Sequence, residues 1–178
     1  MSKQTAPGPF QFKTTRISDG MAGIYFEIKK MKEYVRDFCA DPTIIEFTRS
    51  LVLSCPPKDL ICEIETIHRF TRDHVRFVQD PVKHEVVSTP VRMLREVKTR
   101  GRTSGDCDEI ATLTATLLAS IGIEPRFRFG GEGSELFHVW VQADINGHGL
   151  WGDLESTGYL DAGKYYAFPK YAVAEIFE

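Results

Sequence analysis

Gly105-Asp106-Cys107-Asp108-Glu109-Ile110 opens the stretch that decides the fold. Beyond it Ile110, Leu113, Leu117, Leu118 and Ile121 recur at helical spacing, and Gly122 stands where a helix would stop. The spacing predicts one amphipathic helix over 106–121, ended by a glycine free to turn left-handed. Asp106 is placed to cap it, with Glu109 three residues on in a variant of the capping box. Cys107 then falls in the first turn, where backbone N–H groups and the helix dipole favour a thiolate. The dipole is worth only about 0.3–1 kcal/mol, rising to ~2 kcal/mol when partly buried. Asp106, Asp108 and Glu109 oppose it, so ionising Cys107 requires a nearby imidazolium. Gly105 leaves room for another chain, a substrate included, to come close. A cysteine at a helix start also has a plainer reading, as a structural thiol.

Downstream the period changes. After Pro125, Arg126-Phe127-Arg128-Phe129 alternates as a strand, ended by Gly130-Gly131. Leu136 to Ile145 alternates again, with Phe137, Val139, Val141, Ala143 and Ile145 on one face and His138, Trp140, Gln142 and Asp144 on the other. A core histidine belongs on the apolar side. His138 is on a polar face that something else must cover.

Asn146-Gly147 signals a two-residue hairpin turn, with Leu150 to Glu155 as the returning strand. That turn sets Trp140 opposite Asp153 and His138 opposite Glu155. Asp153 then lies diagonal to His138, about 7 Å away between backbones, a gap that side chains can close. A three-residue loop would turn Asp153 to the wrong face, and a four-residue loop would slide it too far. Glu155 is the competing carboxylate. Tyr171 to Phe177 could add a further strand.

Upstream the chain reads as helical. Ile24, Ile28, Met31, Val35 and Phe38 form one stripe, and Asp41-Pro42 starts a second helix that Pro56-Pro57 stops. A third runs from about Asp59 to His74, with Ile61, Ile64, Ile67, His68 and Thr71 on one face. Val75 to Val78 is extended, and Thr89-Pro90 opens a short helix through Leu94. Residues 1–20, with Pro7, Gly8 and Pro9, read as an arm, held by a partner; residues 21–178 read as a single domain. The class is α+β: a helical first half, then a helix packed on an antiparallel sheet.

Composition narrows the classes. The 178 residues are 42% hydrophobic and 26% charged, with a net charge of −3. That balance predicts no nucleic-acid surface, and no run approaches a membrane span. The first residues lack the apolar core of a signal peptide. Four cysteines, Cys39, Cys55, Cys62 and Cys107, form no C-x-x-C and read as thiols in a reduced compartment. Zinc at Cys55, Cys62, His68 and His74 is a rival with no common module behind its spacing.

Together these residues offer a cysteine, a histidine and an aspartate in an order that suits thiol acyl transfer. Cys107 would be the nucleophile and His138 the general base. Asp153 would orient the imidazole, and the Cys107 backbone N–H would be one oxyanion donor. Gly105 and Trp140 are the candidate substrate contacts. No cofactor or metal is required.

The run from Gly105 to Arg126 resembles the core motif of the transglutaminase-like superfamily, in which a GxC opens a helix that ends in an "lGipaR" turn. Phe137 to Val141 is similar to that family's histidine strand, and Leu150-Trp151-Gly152-Asp153 to its tryptophan–aspartate strand. Val75 to Asp80 and Thr89-Pro90 resemble the segment before its nucleophile. The likeness covers about residues 60 to 157. It implies a papain-like α+β fold and a Cys107, His138, Asp153 triad. The family's Asp-Pro-Thr corresponds to Asp153-Leu154-Glu155 here, a departure in the local turn.

The GDCD variety resembles small phage and prophage members, which implies a cytoplasmic or virion location. The expected substrate is a peptide or protein amide, cleaved by water as in a peptidase or amidase, or transferred to an amine as in a transglutaminase. The alternatives are a virion or assembly component that keeps the fold, with a homo-oligomer or virion proteins as partners, and a metal site on the same three residues.

Overall fold

A computed structural model describes residues 21–80, 87–132, 135–158, 168 and 170–177. The expected arm at 1–20 lies outside the described residues. Among the described residues five helices and six strands follow one another: α1 (Met21–Phe38), α2 (Pro42–Leu51), α3 (Leu60–His74), β1 (Val75–Phe77), α4 (Pro90–Arg100), β2 (Thr103–Gly105), α5 (Cys107–Ser120), β3 (Pro125–Glu132), β4 (Glu135–Asp144), β5 (Trp151–Leu154) and β6 (Lys170–Glu175). No described helix is long and apolar enough to cross a membrane.

The helix starts follow local chemistry. Asp41 accepts a hydrogen bond from the Thr43 N–H at 2.7 Å with Pro42 behind it, and Asp59 accepts from the Cys62 N–H at 3.0 Å. Each cap satisfies an N–H that the helix leaves open. α4 is longer than the short helix read from the sequence. It runs on to Gly101, whose φ of 75° gives it a left-handed stop.

α5 is buried from Asp108 to Leu118, on every side. α1 to α4 pack around it from one direction and β3 and β4 from the other. A helix enclosed in this way fixes both of its ends, so Cys107 is held by the whole core rather than by a loop.

The sheet is antiparallel throughout, in the order β5-β4-β3-β6. Phe127, Phe129, Val139, Val141, Ala143 and Leu154 turn inward to the core with Ile110, Leu113 and Leu117. β3 continues through Gly130 and Gly131 rather than ending there, and its register with β4 shifts between them, opposite His138. β1 and β2 form a separate parallel pair. β2 is only Thr103-Ser104-Gly105, too short to carry an alternation, and its partner strand supplies the strand geometry.

Two expectations are corrected. The hairpin after β4 is not a two-residue turn. Ile145 pairs with Leu150, whose carbonyl accepts the Ile145 N–H at 2.8 Å, so Asn146 to Gly149 form a four-residue loop. The Asp144 carboxylate accepts from the Asn146 and Gly149 N–H groups at 3.2 and 2.9 Å. The Asn146 side chain accepts from His148 and Leu150 at 2.9 and 3.1 Å. These side-chain oxygens satisfy the loop backbone and outcompete the tight turn that Asn-Gly alone would favour. Burial works to raise the Asp144 carboxyl, but the loop N–H groups outweigh it and hold it below its ordinary value.

The second correction concerns the cysteines. Cys55 and Cys62 are joined in a disulfide, and Cys39 and Cys107 are in none. Bonded to each other, Cys55 and Cys62 do not serve as zinc ligands. Disulfides persist in oxidising compartments, so cysteine usage no longer supports a reduced setting. A loop closed across seven positions is worth about 2 kcal/mol by chain entropy. Cys55→Ser should lower the unfolding free energy by about 2 kcal/mol, seen as a lower urea midpoint, with a slope equal or steeper because the uncrosslinked unfolded chain is less compact. A midpoint indifferent to both the substitution and reductant would mean that the bond does not form.

Candidate active site

Cys107 is the first residue of α5, half-buried and not in a disulfide. The Glu109 side chain reaches back to accept the Asp106 N–H at 3.2 Å, and its other oxygen accepts the Ser88 N–H at 2.8 Å. Burial raises the Glu109 carboxyl despite these donors. A Cβ on Gly105 would lie 2.6 Å from the Glu109 Oε2 and 2.8 Å from its Cβ. The glycine therefore serves the packing of Glu109. Gly105, expected to admit a substrate, is buried beneath the side chain that locks the helix start.

His138 lies on β4 and is 3% exposed. Its Nε2 is 3.4 Å from Glu155 Oε1, an ion-pair distance slightly beyond a well-formed hydrogen bond. Glu155 Oε1 also accepts from the Thr157 N–H at 2.9 Å and from the Thr157 hydroxyl. Burial works to raise the Glu155 carboxyl, but the His138 imidazole and the Thr157 donors outweigh it and hold it below its ordinary value.

The four-residue loop accounts for this partner. It shifts β5 along β4 by two residues, so Asp153 pairs with Gln142. Glu155 then takes the position diagonal to His138 that a two-residue turn would have given Asp153. Asp153, the expected partner of His138, is instead enclosed by other donors. Arg128 Nη1 reaches both its oxygens at 3.2 and 3.0 Å, Trp140 Nε1 donates at 2.7 Å and Gln142 Nε2 at 2.9 Å. Trp140, expected at a substrate surface, is 1% exposed and stacks on the His138 ring with centroids 5.7 Å apart.

Cys107 and Glu155 meet around one narrow crevice, whose wall also includes Val139, Trp140, Leu154 and Thr157. The segment carrying Glu155 is tied down from behind by α3. His68 Nε2 hydrogen-bonds with the Glu155 carbonyl at 2.8 Å, and the Thr71 hydroxyl donates to the Ser156 hydroxyl at 3.1 Å. His68 and Thr71 share a face in the sequence pattern, but nothing there distinguishes them from core residues. His74 bonds with the Gly101 carbonyl at 2.8 Å. Among the described residues no three of His, Cys, Asp and Glu gather as a metal site.

Known proteins set this arrangement in context. The model of the transglutaminase-like superfamily matches residues 47–156. No curated protein matches the sequence. A solved structure of a protein provisionally described as a protease from Parabacteroides distasonis ATCC 8503 superposes with a TM-score of 0.58 at 12% identity. It covers 84% of this chain, and this chain spans 32% of it. Another, provisionally described as a cysteine protease from Cytophaga hutchinsonii, gives 0.50 at 13% identity, covering 72% of this chain and 42% of its own. At such identities the likeness is one of fold. Neither description bears on the resemblance to phage proteins. A family match over more than half the length, on a helix that begins at a cysteine and a strand that carries a histidine, places the chain in the transglutaminase-like superfamily.

Proposed function

We propose that the chain is a cysteine-dependent acyl-transfer enzyme that cleaves amide bonds by hydrolysis. The observation that carries the reading is the crevice shared by Cys107, at the start of α5, and Glu155, whose carboxylate lies 3.4 Å from His138. Glu155 faces Nε2, so Nδ1 is the ring nitrogen that takes the thiol proton. The Cys107 thiolate attacks the amide carbonyl and the carbon–nitrogen bond breaks. The imidazolium protonates the leaving amine, and a thioester remains on Cys107. Water, deprotonated by His138, then releases the acid and restores the thiol. Glu155 takes the orienting role first given to Asp153 and stabilises the imidazolium. The descriptions of both structural neighbours favour water over an amine as acceptor.

The test sets wild type beside Cys107→Ala on a panel of peptides and peptidoglycan fragments, with and without a primary amine. Cleavage should be lost in the variant, and no amine adduct should form. Alkylation of intact protein should label Cys107 before Cys39. Labelling in the opposite order removes the activated thiol, and amine incorporation in place of acid release makes the enzyme a transamidase.

A further inference from the structure

We infer that Phe168 and Trp140 are positioning residues that pack on adjoining sides of the His138 ring, so that a residue beyond the family core completes the site. The inference rests on the reading of His138 as the base for Cys107.

The first support is ring geometry. The His138 ring stacks on Trp140 with planes 29° apart. Phe168 approaches His138 with centroids at 6.2 Å and Trp140 at 6.1 Å, the latter pair 26° from parallel. The outer torsion of a histidine is broad. Glu155 faces one ring nitrogen, and the two rings, in contact with the imidazole and with each other, narrow its rotation further.

The second support is that both rings are anchored. The Trp140 indole N–H donates to Asp153 at 2.7 Å, and Arg128 grips the same carboxylate. The Arg128 guanidinium lies 4.4 Å over the Tyr171 ring, which meets Trp140 and Phe168 edge-on at 6.1 and 6.3 Å. The Asp153 network that does not reach His138 directly thus reaches it through Trp140.

The third support is the space left for Phe168. Gly130 pairs with His138 on one side and with Tyr171 on the other. Its φ is not in the left-handed region, so its backbone does not require glycine. A Cβ there would collide with the Phe168 ring. The glycine admits Phe168 against the sheet beside the imidazole, and Phe168 lies beyond residue 156, where the family match ends.

The test compares Phe168→Leu, Phe168→Tyr and Gly130→Ala in the full chain. The readouts are the nitrogen-15 and Trp140-contact signals of the His138 ring and the rate of Cys107 alkylation by iodoacetamide. Small displacements of a catalytic group cost up to about a hundredfold, and a ring loosened on one side should cost about tenfold. Phe168→Leu and Gly130→Ala should both show that loss, with weakened His138–Trp140 contacts. Phe168→Tyr, which keeps the ring, should stay within about twofold of wild type. The positioning role is overturned if leucine preserves the contacts and the rate, or if tyrosine and leucine lose them equally. His138→Ala serves as the separate control. If it leaves alkylation unchanged, the base assignment fails, while the ring contacts still decide whether Phe168 and Trp140 position His138.

Discussion

Glu155→Ala is expected to slow acylation of Cys107 by about 10²- to 10⁴-fold while the fold survives, the range seen when a triad loses the group behind its histidine. The argument begins with burial. The His138 side chain is 2% exposed and that of Glu155 7% exposed, so an imidazolium formed there has little water to stabilise it. Without Glu155 the cation is costly, and the proton stays on sulfur. The loss should therefore appear in the pH profile of alkylation. The rise in rate should move up toward the pKa of an ordinary thiol, about 8.5. A purely structural loss would lower the rate at every pH equally. Glu155→Gln should retain more activity than alanine, since the amide still accepts a hydrogen bond.

The helix that carries Cys107 was legible because its signals are local. From Asp106 through the stripe of Ile110 to Ile121 and on to Gly122, each signal lies within about one turn of the next, and α5 runs from Cys107 to Ser120. The alternation that put His138 and Trp140 on one face was equally direct, and their rings stack. The cover over that face was not legible. It comes from Phe168 and Tyr171, far along the chain, and no local periodicity reports a long-range packing partner. The disulfide was missed for a similar reason, since spacing alone does not fix which cysteines meet.

The carboxylate was misplaced through a single turn. Asn146-Gly147 is a strong hairpin signal in isolation, but the side-chain oxygens of Asp144 and Asn146 accept from the N–H groups around it and build a larger loop. Moving β5 by two residues keeps every side chain on its face, so the inward and outward pattern was right while the pairing was wrong. The same shift brings Glu155 beside His138, with Thr157 donating to its carboxylate.

Asp153→Ala should separate the two carboxylates by acting on stability. Its side chain is 9% exposed and accepts from Arg128, Trp140 and Gln142. Removing it strands a guanidinium, an indole N–H and an amide in a partly closed site. Breaking a fully buried ion pair costs about 3–5 kcal/mol. Arg128 is 23% exposed, which lets water recover part of this, so the expected loss is about 2–4 kcal/mol. Urea unfolding should show it as a lower midpoint with an unchanged slope. Alkylation of Cys107 in the folded variant should fall by no more than about tenfold, through Trp140 alone. An Asp153→Ala protein of undiminished stability whose Cys107 has become as sluggish as a free thiol would return the imidazole partner to Asp153 and undo the register argument.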